Sequence, residues 1–274
     1  MRSKGALAGI RTHEVHLPAP GGGRLWAERS GAGTGDGTLV VLLHGAGMDS
    51  RLWDAIVPEL ARHHDVIRYD ARGLGRSTPP DRTFCDVEDL EAVLDHFGLH
   101  AAALVGLSMG GETALDFVLA HPERVSALGL VGASVSGHVW PQDAQSSAYA
   151  AARREQDAAA LAELELSIWA SMGRAAPGGE LIEAMVTQNA HLRIVSEQQL
   201  AHFPDRDAES RLDEIAAPTL VVHGDRDHPE IGVIAERLVA GIPGARGQLI
   251  ADADHYLPLR TPGPLTELLL AHLA

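Results

Sequence analysis

The sequence predicts an α/β fold: a mostly parallel sheet of eight strands, helices on both faces, and a helical insertion ahead of the last strands. Two observations predict it. Short, continuously apolar runs alternate with segments of helical periodicity, first between residues 39 and 131 and again between 219 and 273. Between those stretches the strand signals vanish, and alanine, glutamate and glutamine dominate. Alternation at this spacing makes right-handed parallel β-α-β units, whose sheet is covered by helices on both sides.

The elements follow in order. His13 to Leu17 and Arg24 to Glu28 alternate apolar with polar residues around Pro20-Gly21-Gly22-Gly23 and read as a hairpin. A glycine-rich connection, residues 30 to 37, leads to Leu39-Val40-Val41-Leu42-Leu43, a strand buried on both faces. Trp53 to Arg62 reads as a helix, Asp65 to Tyr69 as a strand, and Asp86 to Phe97 as a helix. Ala102 to Val105 is a strand, and Met109 to Ala120 a helix that stops at His121-Pro122. Val125 to Val131 is the next strand. Residues 138–210 form the insertion, with helices broken at Pro177-Gly178-Gly179 and at Pro204. The core is then residues 1–137 with 211–274. Its last elements are a strand at Thr219 to His223, a helix at Ile231 to Ala240, a strand at Gln248 to Ile250 and a helix at Pro264 to Leu273.

Composition narrows the partners. The 274 residues hold 37 Asp+Glu against 22 Lys+Arg, a formal charge of -15. Such a surface repels phosphate backbones and anionic membranes, so neither nucleic acid nor membrane is expected as a partner. The plain reading of the charge is solubility. Cys85 is the sole cysteine and has no thiol partner for an internal disulfide. It precedes a helix in Thr-Phe-Cys-Asp, where a small buried residue is the commoner reading than a nucleophile. The start MRSKGALAGI lacks the apolar stretch of a secretory signal, and no run long enough to span a membrane occurs. A cytoplasmic protein, monomer or homodimer, is the expectation.

The chemistry centres on Gly106-Leu107-Ser108-Met109-Gly110, a G-x-S-x-G pattern with an apolar strand before it and a helical pattern after it. Read alone, the five residues also fit a glycine-rich turn that happens to hold a serine. With that context they place the hydroxyl on a tight turn at a helix N-terminus, where developing negative charge is favoured. A serine needs a base. His255, in the loop after the last strand, has the position for it. His44 precedes the serine in the wrong chain order, His223 lies at a strand end and His228 follows the acid loop. An aspartate should orient the imidazole. Asp227 is favoured and Asp225 is the alternative, since either is also a natural turn aspartate that caps local amides. His44-Gly45-Ala46-Gly47 closes the Leu39 strand with small residues. The amides of Ala46 and Met109 are the expected oxyanion donors. The glycines of 70–77 do not make a phosphate loop, because its lysine is missing, and no histidine spacing suggests a metal. No cofactor and no metal are expected.

At this point the chain resembles the α/β-hydrolase superfamily, in its serine-nucleophile branch with a helical cap. The resemblance rests on His44-Gly45 with Trp53 (H-G-x7-W), Asp70-Ala71-Arg72-Gly73-Leu74-Gly75-Arg76-Ser77, the serine elbow, the Gly224 to Asp227 loop and the His255 loop. It covers nearly the whole chain outside the insertion. It implies Ser108, Asp227 and His255 as a catalytic triad, with the last aspartate of G-x-x-D as the acid. Two positions depart from the pattern. Arg260 stands where relatives carry a glutamate, which should alter a local salt bridge. Asp254 stands where glycine is usual, close enough for its carboxylate to perturb the histidine.

What the resemblance implies is acyl transfer on a small-molecule ester, thioester or lactone. A serine at the elbow disfavours dehalogenases and epoxide hydrolases, which use aspartate there. Esterases, enol-lactonases and cofactor-free perhydrolases all fit the resemblance, and carbon–carbon bond hydrolases, lyases on the same scaffold, and a ligand receptor that retains the triad are the alternatives. The cap should roof the pocket, with Trp53, Trp140, Trp169, Met172 and Phe203 as candidate lining, although helix packing is the plainer reading of each.

Overall fold

The computed structural model describes residues 10–31, 38–142, 144–196 and 207–274. The chain opens with the hairpin β1 (Arg11–Pro18) and β2 (Arg24–Gly31). Next come β3 (Leu39–Leu43), α1 (Val57–His63), β4 (Asp65–Tyr69) and α2 (Asp86–His96). They are followed by β5 (Ala102–Leu107), α3 (Met109–Ala120) and β6 (Val125–Val131). Three helices then follow without a strand among the described residues: α4 (Ala144–Arg154), α5 (Ala158–Trp169) and α6 (Gly179–Ser196). The chain closes with β7 (Thr219–Gly224), α7 (Pro229–Gly241), β8 (Arg246–Ile250), the single turn α8 (Leu257–Arg260) and α9 (Pro262–Leu273).

The eight strands form one sheet in the order β1-β2-β4-β3-β5-β6-β7-β8. The hairpin and the β2–β4 pair are antiparallel, and every later pair is parallel. Period-two alternation explains why the central strands are apolar throughout. In β3, Val40 and Leu42 enter one core and Val41 and Leu43 the other. In β5, Ala103, Val105 and Leu107 face the first core and Ala102 and Leu104 the second. The first core is closed by Val57 and Leu60 of α1 and by Leu265 and Leu269 of α9. The second is closed by α2, α3 and α7, through residues such as Leu94, Phe117 and Leu238. Leu161 of α5 and Ile182 and Met185 of α6 join the first core, so the helical segment is packed onto the sheet domain.

The helix expected over Trp53–Arg62 divides. Residues Ser50–Trp53 form a 3₁₀ turn capped by Asp49, which accepts from Arg51 N at 3.0 Å, and α1 starts afresh at Val57. Pro58, in the first turn of α1, explains the break: it has no N–H and favours the start of a helix over its interior. The strand order reverses between β3 and β5, the neighbouring strands that send later elements to opposite sides. Crevices at such switch points open at the carboxyl ends of the strands. The register pairs Leu43 with Gly106, so the loops after β3 and β5 emerge side by side.

Candidate active site

Ser108 sits between β5 and α3 with φ 54° and ψ -119°, a conformation that costs a non-glycine residue about 1–3 kcal/mol. The surroundings impose it. Ser108 N donates to Val131 O at 3.2 Å, and its carbonyl accepts from Gly111 N, Glu112 N and Ser134 N at 2.9, 3.0 and 3.2 Å. The glycines are needed for close approach. A Cβ on Gly106 would lie 2.3 Å from Gly110 O, and one on Gly110 would lie 2.3 Å from Leu43 O. The G-x-S-x-G spacing is therefore a statement about three backbones in contact.

His255 and Asp227 meet. His255 Nδ1 lies 3.0 and 2.9 Å from the two Asp227 oxygens, and both side chains are buried. An ionised carboxylate only accepts, so Nδ1 carries the proton and Nε2 presents a lone pair. Asp227 Oδ1 also accepts from His228 N at 2.7 Å, which fixes the carboxylate. Asp225 takes another part: its Oδ1 faces Ala253 N at 3.4 Å. On its open face the His255 ring lies against Trp169, centroids 4.5 Å apart, and His255 N donates to Trp169 O at 3.3 Å. The last residue of α5 thus touches the imidazole directly.

Ser108 and His255 line one cavity of about 740 Å³. Ala46 and Met48 from the β3 loop, Trp140 and Pro141, the α4 face from Gln145 to Arg154, Glu165, Ile168, Trp169 and His228 complete its wall. The size suits a small-molecule ligand. In the β3 loop, Met48 N donates to Gly45 O at 3.2 Å, and the Ala46 amide is not used by that turn. Met109 opens α3, whose first internal bonds begin at Gly111 N. Met109 also lines a separate small cleft beside His44. His44 is a tie between loops. Its Nε2 accepts from Ala71 N at 2.9 Å, so its Nδ1 holds the proton and donates to Gly45 O at 2.9 Å. Asp70 is fully buried and accepts from Ser50 N and Arg76 N, each at 2.8 Å, so the glycine-rich 70–77 segment buttresses the β3 loop.

Of the aromatic candidates, Trp140 and Trp169 line the cavity, their rings 6.2 Å apart and edge to face. Trp53 does not. It is fully buried in the first core among α1 side chains, because the 3₁₀ turn directs it inward. Met172 is also absent from the wall. It follows α5 in a loop whose backbone is drawn toward Asp254, which accepts from Met172 N at 3.1 Å. Phe203 lies outside the described residues.

The two departures from the family pattern resolve each other. Asp254 and Arg260 form a fully buried pair, with Arg260 Nε 3.1 Å from both carboxylate oxygens. Arg260 also donates to Pro177 O at 2.7 Å and Gly173 O at 3.0 Å. The histidine loop and the loop before α6 are thereby joined, and the Asp254 charge is met by Arg260 rather than turned on His255. A second tie lies on the far side. Asn189 of α6 donates to Asp49 Oδ2 and accepts from Gly75 N, both at 2.9 Å. Burial alone would raise the Asp49 carboxyl, but the bonds from Arg51 and Asn189 overcome it and hold Asp49 below its ordinary value.

Sequence motifs point neither to Asn189 nor to the cluster of Tyr149 and Glu165 in the cavity wall with Arg193 behind them. These groups meet only because α4, α5 and α6 converge, and no local spacing signals it. His228, weighed as a competitor for the base, is a wall residue. Its Nδ1 faces Glu230 N at 3.3 Å, and its ring lies 5.5 Å from Trp169.

A strand-to-helix serine, a buried aspartate–histidine pair at the next strand ends and a roofing helical segment define a hydrolase class. Residues 38–260 match the family model of the alpha/beta hydrolase fold, and the chain belongs to that family of hydrolases. It is 28% identical over 249 residues to a 2-hydroxy-6-oxononadienedioate/2-hydroxy-6-oxononatrienedioate hydrolase of Cupriavidus pinatubonensis, covering 85% of this chain and 84% of that one. Among solved structures, a hydrolase from Pseudomonas aeruginosa superposes with TM-score 0.80 at 28% identity, over 96% of this chain and 98% of the other. A thermophilic esterase from Thermogutta terrifontis superposes with TM-score 0.77 at 27% identity, over 94% and 97%. Among the described residues no helix is long and apolar enough to cross a membrane.

Proposed function

We propose that this chain cleaves a small carboxylic ester, thioester or lactone by two-step acyl transfer. The observation that carries the reading is the strained Ser108 sharing a cavity with His255, whose Nδ1 is held by Asp227. Ser108 Oγ attacks the carbonyl carbon while His255 Nε2 takes its proton. The Ala46 and Met109 amides hold the oxyanion. Collapse breaks the bond to the leaving group, which receives the proton from His255. Water, deprotonated by the same nitrogen, then attacks the acyl-enzyme and releases the acid, and the proton returns to Ser108. Asp227 keeps the imidazole in the required tautomer and stabilises its charged form. Likeness to a thermophilic esterase supports the ester reading.

Likeness to a dienedioate hydrolase favours a second reading, hydrolysis of an anionic diacid on the same serine. Buried Arg193, behind the wall, is already engaged by Glu165, whereas Arg153 and Arg154 of α4 line the cavity and offer charges to such a diacid.

Fluorophosphonate labelling with peptide mapping tests the proposal. Ser108 should be modified, and the His255→Ala variant should not react. A folded protein that stays unlabelled, or a Ser108→Ala variant with full turnover, overturns the reading. A screen of neutral esters against diacid substrates decides between the two substrate classes.

A further inference from the structure

Glu165 is an unusual residue to find in the wall of an acyl-transfer cavity. It lies on α5 with only 4% of its surface exposed, yet it lines the cavity that holds Ser108 and His255. Its Oε1 is fully occupied. The Tyr149 hydroxyl of α4 and Arg193 Nη1 of α6 both donate to it, and Arg193 Nη2 donates to the Tyr149 oxygen. Burial first, and the Glu165 charge second, push the Tyr149 hydroxyl well above its ordinary value, so it remains a donor.

Oε2 is different. Among the described residues, no hydrogen bond of Glu165 uses it. It is not sealed in protein either. Among the described residues, Oε2 is not one of the enclosed side-chain polar atoms that lack a hydrogen bond. Oε2 therefore opens on the cavity.

The cluster also rests against the β3 loop. A Cβ on Gly47, next to Ala46, would lie 3.3 Å from Glu165 Oε1 and 3.1 Å from Arg193 Nη1. A bare carboxylate there would oppose an oxyanion at Ala46 N, and Arg193 offsets that charge. What is left toward the substrate is one acceptor oxygen, held by two donors on its other side.

We propose that Glu165 is a specificity-determining residue, whose Oε2 accepts a hydrogen bond from a hydroxyl or amide N–H on the substrate arm under the helices and refuses a carboxylate there. The inference rests on the acyl-transfer reading and names its substrate class: neutral esters or lactones that carry a hydrogen-bond donor. A carboxylate placed against Oε2 itself loses its hydration and faces another acceptor, whereas Arg153 and Arg154 stand elsewhere in the same wall.

The test is kcat/KM on matched ester panels of graded length, with the acyl arm or the alcohol arm ending in methyl, hydroxyl or carboxylate. The wild-type protein should prefer the best hydroxyl-ended ester over its carboxylate-ended match by ~10²-fold or more. Glu165→Gln keeps an oxygen for Tyr149 and Arg193 and turns an amide donor toward the cavity. It should shrink that ratio to within about threefold or reverse it. The methyl-ended ester, measured alongside, cancels any general loss of fold or catalysis from the ratio. Tyr149→Phe, which leaves the Glu165–Arg193 pair intact, should hold the ratio within about twofold.

A wild-type protein that labels at Ser108 and turns over plain esters without discriminating the end groups overturns this inference alone. So does an unchanged ratio in Glu165→Gln, or an equal collapse in Tyr149→Phe. Absence of both labelling and ester turnover removes the acyl-transfer reading beneath it.

Discussion

On the sheet side of the cavity, position is written in the main chain. Ser108 is held by bonds to its own amide and carbonyl, and Gly106 and Gly110 let three backbones touch. On the helical side, position is written in side-chain pairs. Asn189 reaches Asp49 across 140 positions, Arg260 reaches the carbonyls of Gly173 and Pro177, and Tyr149, Glu165 and Arg193 bind one another. Backbone devices need fixed residues at fixed spacings. Side-chain ties need only complementary groups at the end of a long loop of chain. One wall is therefore readable as a motif and the other is not.

The largest expected effect probes the sheet side. Asp227→Asn should lower kcat by about 10⁴-fold with little loss of stability, because the imidazole is released to the wrong tautomer. Asp225→Asn should change kcat less than about threefold, since its carboxylate faces Ala253 N and not the histidine. Equal losses in the two variants would mean that the buried pair is not what the chemistry uses.

The next effect probes the helical side. Arg260→Met strands the Asp254 carboxylate, which is fully buried, and should cost about 3–5 kcal/mol in urea unfolding. Asp254→Asn combined with Arg260→Met should recover most of that. Additive losses in the double variant would break the claim that the pair acts as one tie.

Trp169 stands where the two sides meet. Trp169→Leu should lower kcat/KM roughly three- to ten-fold, the worth of one ring contact of about 0.5–1.5 kcal/mol, if the indole serves chiefly to hold the His255 ring. A loss seen only in KM would assign Trp169 to substrate contact alone.

The smallest effect concerns acid. The Asp49 carboxyl is held below its ordinary value, so its stabilisation is complete above the unfolded-chain pKa and is lost as pH falls through the lower folded one. Amide hydrogen exchange in α6 should quicken over that acid range, and less so in Asp49→Asn. The same acid response in both proteins would detach Asp49 from α6.

Much of the sheet domain is legible in the sequence. The runs at 39–43 and 125–131 are almost wholly apolar because both faces of those strands are covered, whereas a strand with one face in water would alternate. Ser108, Asp227 and His255 are readable from loop position and chain order, and the structure brings the last two into contact. Trp53, a candidate for the pocket lining, follows the plainer packing reading instead, since the turn at Ser50–Trp53 sends it into the core. Asp254 and Arg260, taken singly, are two departures from the pattern. Taken together, as opposite charges gained six positions apart, they carry the signal of a pair. Nothing comparable marks Tyr149, Glu165 and Arg193, whose meeting depends on how three helices pack.

The grip of Arg260 on the carbonyls of Gly173 and Pro177 bears on how such proteins could be recombined. Those acceptors are main-chain oxygens, so Arg260 reads the path of the loop and not its side chains. A chimera that replaces residues 138–210 with the helices of a relative must offer two carbonyls in the same places, or exchange positions 254 and 260 as well. What holds the helical segment in place is thus discontinuous along the gene: a block of helices together with two codons near the far end.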